Sequence, residues 1–450
     1  MKHEGYRPPS VAVGLIVLMM SAAGVLTPRA QTPQPDTLNQ LLERIQSLEK
    51  RLSDQEAQNQ KLQQEIQSIR GAQQAPAPAA QPPGKPSMYA VESTSKIQLY
   101  GYLKLDAAYD TTATYPGNYP LWVKALPQNG ARQPNFHETA NQSRFGMNFT
   151  LPDSGDVKTT GKVEIDFYGG GPENKANPML RHAYVNLEWP THHFSILAGQ
   201  TSDVISPLVT PTLYYSVAWY QGNIGYRHPQ LRFTKEAPVG DHSKWTFQFA
   251  VVRPMGRDIN GRRTGPDSAQ PDVQGRIAYT FAGAAGLPTT FGISGHYGRE
   301  AYKAFTTTEH TLSAHSSSIN LDLTIPFSKK VALTAEAFSG KDLDAFLGGS
   351  SEAVNFAKGY GTSSSGGWLA LTMKPTTKWT LNLGASADDP LNEDLSIGAR
   401  SRNRLAFGNG WYAITKAALV GFEVAYMDTE YLGQQNVHAL RGQLAIQYNF

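Results

Sequence analysis

Three arginines stand at alternate positions in the segment ARSRNRLAF, at Arg400, Arg402 and Arg404. In an extended strand, side chains two residues apart lie on the same face, so these guanidinium groups would form a row of positive charge. A row of this kind attracts anions when it lines a water-filled passage or its rim. The alternative is a solvated loop end, because the acidic and turn-rich segment ADDPLNEDLSIG comes directly before it.

Other charged residues follow the same alternation in segments spread over the chain. The basic ones are Lys104, Arg144, Arg227, Arg232, Arg276 and Arg441, and the acidic ones include Asp106, Glu164 and Asp166. Two arrangements fit this pattern: opposed acidic and basic walls around a wet interior, or salt bridges that fill space. The excess of arginine favours a weak preference for anions.

The sequence contains no set of residues that predicts catalysis, a metal site or a cofactor. Cysteine is absent and the 11 histidines are scattered. The GGG run at 169–171 lacks the following helix that a phosphate-binding loop requires. The formal net charge of +3 is far from the basic excess of a nucleic-acid-binding protein. We therefore predict no enzyme activity, no metal or other cofactor, and no nucleic-acid partner.

The elements that would position these charges are β-strands, because apolar and polar residues alternate along most of the chain. In KIQLYGYLKLDAAY, for example, the apolar face includes Leu99, Leu103 and Leu105, and the opposite face carries Lys104 and Asp106. We count about sixteen such segments on this alternation criterion. They begin near residues 97, 143, 159, 181, 193, 223, 244, 273, 289, 316, 330, 366, 378, 402, 418 and 438.

The connections between these segments alternate in length. Long connections follow the odd-numbered segments, and short ones such as PTHH, FSKK and PTTK follow the even-numbered segments. A transmembrane barrel has short turns at its periplasmic end and longer loops outside. We therefore predict an all-β fold, an antiparallel transmembrane β-barrel of about sixteen strands over residues 95–450. Its apolar side chains face lipid, and its charged side chains face enclosed water.

The N-terminal region predicts export and self-association. Residues 1–30 read as a signal peptide, with basic residues before VAVGLIVLMM and cleavage after Ala23 or Ala30. Residues 36–72 form a heptad seam typical of an α-helical coiled coil. The seam positions are Leu38, Leu41, Ile45, Leu48, Leu52, Asn59, Leu62, Ile66 and Ile69. The Pro- and Ala-rich stretch 73–94 is an extended linker. The heptads alone leave a dimer and a trimer open.

Two parts of the sequence resemble known proteins. The order of signal, heptad segment, Pro/Ala spacer and IQLYGYLKLDAAYD, together with NIGYRHPQLRF at 223–233, resembles the DcaP-like porins. The final LAIQYNF resembles the signature that the outer-membrane barrel-assembly machinery reads, with Phe450 as its last residue. The resemblance implies a homotrimeric porin in the lipid of the Gram-negative outer membrane, with its coiled coil in the periplasm. It implies small anionic solutes, such as dicarboxylates, as cargo.

The loop after the fifth strand is the predicted constriction. In sixteen-stranded porins the loop at this place folds inward, and here its sequence, TSDVISPLVTPTLYYSVAWYQGN, is apolar and aromatic. Tyr214, Tyr215, Trp219 and Tyr220 suit a buried loop better than a solvated one. Two further functions compete with a diffusion porin. One is a structural tether whose coiled coil reaches the cell wall, and the other is an outer-membrane barrel enzyme, for which no catalytic set is visible.

Overall fold

The structure is a computed structural model. It describes residues 95–127, 130–170, 175–253, 269–303 and 311–450, together with Lys50 and Ser53. The barrel lies in the second of two compact units, Val91–Phe450. The predicted signal, the coiled coil and the linker lie outside the described residues, apart from Lys50 and Ser53, which are helical. No helix among the described residues is long and apolar enough to cross a membrane.

Most strands form one antiparallel sheet that closes on itself, and two short ribbons in the loops pair Thr114–Tyr115 with Trp122–Val123 and Val354–Asn355 with Tyr360–Gly361. This sheet contains 17 strand segments. Two of them lie end to end against β1 and together form one barrel strand, so the barrel has sixteen strands. They are β1 Lys96–Asp110, β2a Asn135–Thr139, β2b Arg144–Thr150, β3 Lys158–Asp166, β4 Met179–Trp189, β5 Phe194–Ser202, β6 Arg227–Val239, β7 Ser243–Val252, β8 Asp272–Ala282, β9 Pro288–Lys303, β10 Thr311–Ser328, β11 Val331–Lys341, β12 Ser363–Met373, β13 Trp379–Pro390, β14 Arg400–Ala413, β15 Ala418–Tyr431 and β16 Val437–Asn449. The predicted sixteen-stranded barrel is confirmed.

Closure takes place between the first and last strands. β1 pairs antiparallel with β16 from Tyr102 opposite Asn449 to Asp110 opposite Arg441. The chain's last residue extends this seam, because the backbone groups of Phe450 and Gly101 exchange two hydrogen bonds of 3.1 Å. A closed sheet leaves no strand edge with unpaired backbone groups, which is the condition for β-structure in lipid. The seam therefore completes the membrane-compatible backbone.

The outer face of the barrel wall is apolar and the inner face is charged, as predicted. Leu99 and Ile446 are 68% and 60% exposed on the outer surface, whereas Lys104, Asp106 and Glu164 are at most 4% exposed on the inner one. Aromatic side chains also pack on the outer wall near the short turns, as in the pairs Trp189–Phe194, Trp245–Tyr279 and Trp379–Tyr412. Aromatic girdles mark the lipid–water boundary of membrane barrels. The apolar outer band and the aromatic girdle identify the outer wall as the lipid-facing surface.

A charge placed on that surface tests this assignment. Leu444 is exposed midway along β16 and lies opposite Ala107 and Phe422. We expect Leu444→Arg to lower the free energy of unfolding by about 2–4 kcal/mol, because the guanidinium would lie in hydrocarbon. Guanidinium-induced unfolding in lipid vesicles measures the change, with Leu444→Met as the control. An arginine variant as stable as the methionine variant would contradict a lipid-facing Leu444.

Candidate functional site: an arginine cluster beside a loop that crosses the lumen

The loop between β5 and β6, residues 203–226, lies across the interior of the barrel. Its backbone is held by side chains from strands all round the wall: Gln274 on β8 bonds to Val204 N at 2.9 Å, and Lys104 on β1 bonds to Leu213 O at 2.6 Å. Gly222 passes so close to the wall that a Cβ there would fall 2.4 Å from the Gly367 carbonyl oxygen. A loop fixed to strands this far apart in the sheet must cross the lumen.

The four aromatic residues predicted for this loop are all buried inside the barrel. Tyr215 stacks on Tyr168 with 3.9 Å between ring centroids, and Trp219 packs edge-on against Tyr215. Tyr214 joins an apolar cluster with inward side chains of β14, β15 and β16. Tyr220 bonds through its N–H to Leu347 O at 2.7 Å. Their packing gives the loop a rigid, largely apolar body.

Two more loops fold inward and pack against the first. Leu121, in the connection between β1 and β2a, accepts hydrogen bonds from Gln221 and from Asn403 of β14. The connection between β11 and β12 provides Phe346, whose carbonyl oxygen accepts from Gly225 N at 2.7 Å. The three loops share the interior, so a solute crossing the barrel would pass between them and the wall.

A cavity of about 220 Å³ lies between loop 203–226 and the inner wall of β2b, β4 and β6. Arg144, Arg181 and Arg227 line it, together with the ring of Tyr215. Arg232 reaches the same region, because its guanidinium group bonds to Gln230 and to the carbonyl oxygen of Ser202, which also lines the cavity. We call these four arginines the arginine cluster.

Arg181 points inward because of an irregularity in the sheet. Along β3 and β4, Glu164 pairs with His182, and the next residue, Ile165, pairs with Leu180, so Arg181 is an extra residue. A bulge of this kind redirects the side chain of the extra residue. Its guanidinium group lies 2.7 Å from Glu164 and 2.8 Å from Asp166. Sequence reasoning missed Arg181, since simple alternation does not show where a bulge interrupts the register.

The members of the arginine cluster differ in their counter-charges. Arg144 lies 3.5 Å from Glu164, which already pairs with Arg181. Arg227 is 6% exposed and donates to the Tyr215 hydroxyl at 3.3 Å, with its guanidinium 4.6 Å from the Tyr226 ring centroid. Within the described part of the chain, neither Arg227 nor Arg232 has a carboxylate within salt-bridge distance. Arg227 therefore lines the cavity and Arg232 lies beside it, and neither has a paired anion.

A third carboxylate, Asp203, also borders the cavity, but its oxygens are occupied. It accepts hydrogen bonds from His228 at 2.9 Å, Gln274 at 3.0 Å and Tyr226 N at 2.8 Å. Three guanidinium groups and one carboxylate line the cavity, and with Arg232, Glu164 and Asp166 beside it the local count is four guanidinium groups against three carboxylates. The local field remains positive, and it acts where water is restricted, which strengthens its effect on passing ions.

The other charged residues predicted for the lumen lie on the inner wall as tight pairs. Lys104 lies 3.0 Å from Asp106, Arg276 lies 2.7 Å from Asp322, and Arg441 lies 3.0 Å from Asp110. All six carry little or no exposed side-chain surface. Each pair is close to neutral as a unit, whether it lies within β1 (Lys104 and Asp106) or joins two strands, β8 to β10 (Arg276 and Asp322) or β16 to β1 (Arg441 and Asp110). These residues therefore contribute less to the field inside the barrel than the arginine cluster.

The row of charge predicted at Arg400, Arg402 and Arg404 does not form. Arg402 and Arg404 lie on the outer wall near the long loops. Their partners there are Asp389, Asp428 and Glu430. The inner face of β14 is instead provided by Asn403, Leu405, Phe407 and Asn409.

Arg400 is separated from the other two by a register shift between Arg400 and Arg402. Its guanidinium lies 4.0 Å from the ring centroid of Trp122 and bonds to the Ser350 carbonyl oxygen, among the inward loops. The prediction of a lumenal row was wrong for Arg402 and Arg404, because it is the odd-numbered side chains of β14 that point into the barrel.

Neutralising the two outer arginines provides a direct check on this placement. We expect Arg402→Gln/Arg404→Gln to leave the ion selectivity of the channel unchanged, because these charges are paired outside the wall and screened from the passage. The reversal potential across a planar bilayer under a salt gradient measures this. A shift toward cations would place the two side chains inside the passage after all.

The described residues contain no group of three or more His, Asp or Glu side chains arranged as a metal site.

The fold class of the outer-membrane porins is defined by a closed antiparallel barrel of sixteen strands with a lipid-facing apolar band, an inward-folded loop after β5 and charged groups on the inner wall. The comparisons with known proteins agree at the level of fold.

Three solved structures illustrate that agreement. The outer membrane channel DcaP of Acinetobacter baumannii is similar with a TM-score of 0.63 and 18% identity, over 80% of this chain and 98% of that one. The anion-selective porin from Comamonas acidovorans gives 0.53 and 14%, over 79% and 100%. OmpT, an outer membrane protein of Vibrio cholerae, gives 0.51 and 13%, over 79% and 98%. No family model and no curated protein matches the sequence.

The resemblance to DcaP-like porins that the sequence motifs suggested therefore holds for the fold. The similar structures are described as channels, porins and outer membrane proteins, and this chain shares their barrel fold.

Proposed function

We propose that this protein is a passive outer-membrane porin that favours small anions. The observation that carries the proposal is the pair Arg227 and Arg232: Arg227 lines the cavity beside loop 203–226, Arg232 bonds to Ser202 at its edge, and neither has a paired carboxylate. A narrow aqueous passage lined by uncompensated guanidinium groups lowers the energy of an anion within it and raises that of a cation. The structural likeness to a porin described as anion-selective is consistent with this assignment.

The chemistry of the site also defines how a solute would be handled. Guanidinium groups bind carboxylates and phosphates through two parallel hydrogen bonds. Arg227 is held in place by Tyr215 and by the faces of Trp219 and Tyr226, so its orientation is fixed before a solute arrives. A small carboxylate such as a dicarboxylate fits this donor set. Because binding must stay weak for conduction, we expect brief residence and no saturation at low concentration.

Reconstitution in planar bilayers tests the function. Under a KCl gradient, we expect open channels whose reversal potential indicates chloride preference, and competition of chloride current by added dicarboxylate. The purified protein should be heat-modifiable on gels, as folded barrels are, so that each recording refers to folded material. Folded protein that gives no channels, or channels that prefer potassium, would overturn the proposal.

For the N-terminal region we propose export by the signal peptide 1–30, then a periplasmic coiled coil over 36–72 and a linker over 73–94. The narrow heptad seam supports association of identical chains, and we propose a homotrimer. We also propose that the barrel-assembly machinery recognises the terminal strand through Phe450. Deleting residues 36–72 and measuring the oligomer by native mass spectrometry tests the role of the seam. Lost envelope integrity with unchanged conductance would instead favour the tether.

A further inference from the structure

The centre of the constricting loop lacks a backbone ladder of its own. Residues 206–212 contain Pro207 and Pro211 and form no helix or strand. A segment like this does not define its own position, because its backbone N–H and C=O groups need partners from elsewhere. In this molecule the partners are side chains of the barrel wall, and two of them are buried carboxylates.

Glu336 on β11 holds one end of the segment. It is 5% exposed, and its Oε1 accepts a hydrogen bond from Leu208 N at 2.8 Å. Its other oxygen, Oε2, accepts from the indole N–H of Trp368 at 2.9 Å. Both carboxylate oxygens are therefore used, and the side chain cannot turn away without losing a second bond. The loop backbone is fixed to β11 at this point.

Glu423 on β15 holds the other end. It is 2% exposed, and its Oε2 accepts from Leu213 N at 2.9 Å and from the Asn409 amide at 2.8 Å. The same Asn409 amide donates to Pro211 O at 2.7 Å. Lys104 completes the contact by donating to Leu213 O. The loop is thus attached, four strands further round the wall, by a second set of bonds.

We propose that Glu336 and Glu423 are positioning residues that set the size limit of the pore, while the arginine cluster sets its charge preference. The two carboxylates accept backbone N–H groups five residues apart in the loop, at Leu208 and Leu213, and hold that span against two different strands. Neither carboxylate lines the cavity that holds the arginines. This division of roles rests on the proposed porin function and adds to it.

The test compares two double variants that remove the same charge. In Glu336→Gln/Glu423→Gln, the amide oxygens can still accept from the two loop N–H groups, and in Glu336→Ala/Glu423→Ala nothing can. Single-channel conductance and the largest neutral polyethylene glycol that enters the pore are measured for both. We expect the alanine variant to show conductance about twofold higher and a larger exclusion size, and the glutamine variant to stay near the native protein.

The outcomes separate this inference from the porin function itself. If the native protein forms anion-preferring channels but the alanine and glutamine variants are alike in conductance and exclusion size, the positioning role is refuted and the porin function stands. If the native protein forms no channels, the porin function fails first. Should the double alanine variant not yield a heat-modifiable barrel, the single variants Glu336→Ala and Glu423→Ala are each compared with their glutamine counterparts, and equal behaviour refutes the role.

Discussion

The double variant Arg227→Gln/Arg232→Gln is expected to lose most of the channel's preference for anions. Arg227 lines the cavity beside loop 203–226 and Arg232 bonds to Ser202 at its edge, and neither is paired with a carboxylate among the described residues. After their removal, Arg144 and Arg181 are the only members of the arginine cluster left to balance the negative charges of Glu164 and Asp166. We expect the chloride-to-potassium permeability ratio to fall about three- to tenfold, since potentials of several kT act in such narrow sites.

Reversal potentials in planar bilayers at two salt concentrations measure the effect, which should be larger at low ionic strength because salt screens the field. The matched control is Arg402→Gln/Arg404→Gln, which removes the same two charges from the outer wall. If both double variants shifted the ratio equally, net charge rather than position would be responsible. If neither did, the arginine cluster would not be the selectivity site.

Replacing Arg441 by leucine is expected to cause the largest loss of stability. Arg441 is 1% exposed and lies 3.0 Å from both oxygens of Asp110, across the seam that closes the barrel. It also donates to the carbonyl oxygen of Gly117 in the first inward loop. Its loss leaves the buried carboxylate of Asp110 with only the Thr114 hydroxyl and the more distant His137 ring, 3.8 Å away, in place of a bonded cation. Breaking a buried pair in this way costs about 3–5 kcal/mol.

The double variant Arg441→Leu/Asp110→Leu separates the cost of an orphaned charge from the value of the pair. It removes both charges, so we expect it to recover about half of the stability lost in the single variant or more. Guanidinium titration in lipid vesicles gives the free energy of unfolding of both. A double variant less stable than the single one would show that the pair itself, with its bond to Gly117, stabilises the closed barrel.

These charged residues fall into two groups, paired charges within the wall and the arginine cluster, for which we propose different roles. The pairs at Arg276 and Arg441 neutralise charge within the wall and join strands, so they stabilise the fold without strongly biasing the passage. The arginine cluster concentrates uncompensated charge next to the constricting loop. A polar lumen needs both arrangements, because charged groups that face water must be either hydrated or paired.

The amino-acid sequence alone was enough to predict the barrel. The period of two, the alternation of long and short connections and the placement of apolar residues on one face led to sixteen strands, and each predicted start lies near an observed strand. The aromatic composition of loop 203–226 also indicated its burial. These features are local or follow from a single repeated rule, so they can be read without knowing which residues meet in space.

Only the tertiary structure decided which charges face the passage. Arg181 faces inward because a bulge adds one residue to β4. Arg402 and Arg404 face outward because the inward-pointing side chains of β14 alternate from Asn403 onward. A shift of one residue moves every side chain beyond it to the other face. Bulges depend on the pairing of neighbouring strands, and so does the presence or absence of a partner carboxylate. The charge preference that we propose for the pore therefore depends on strand register, which alternation within a single strand does not reveal.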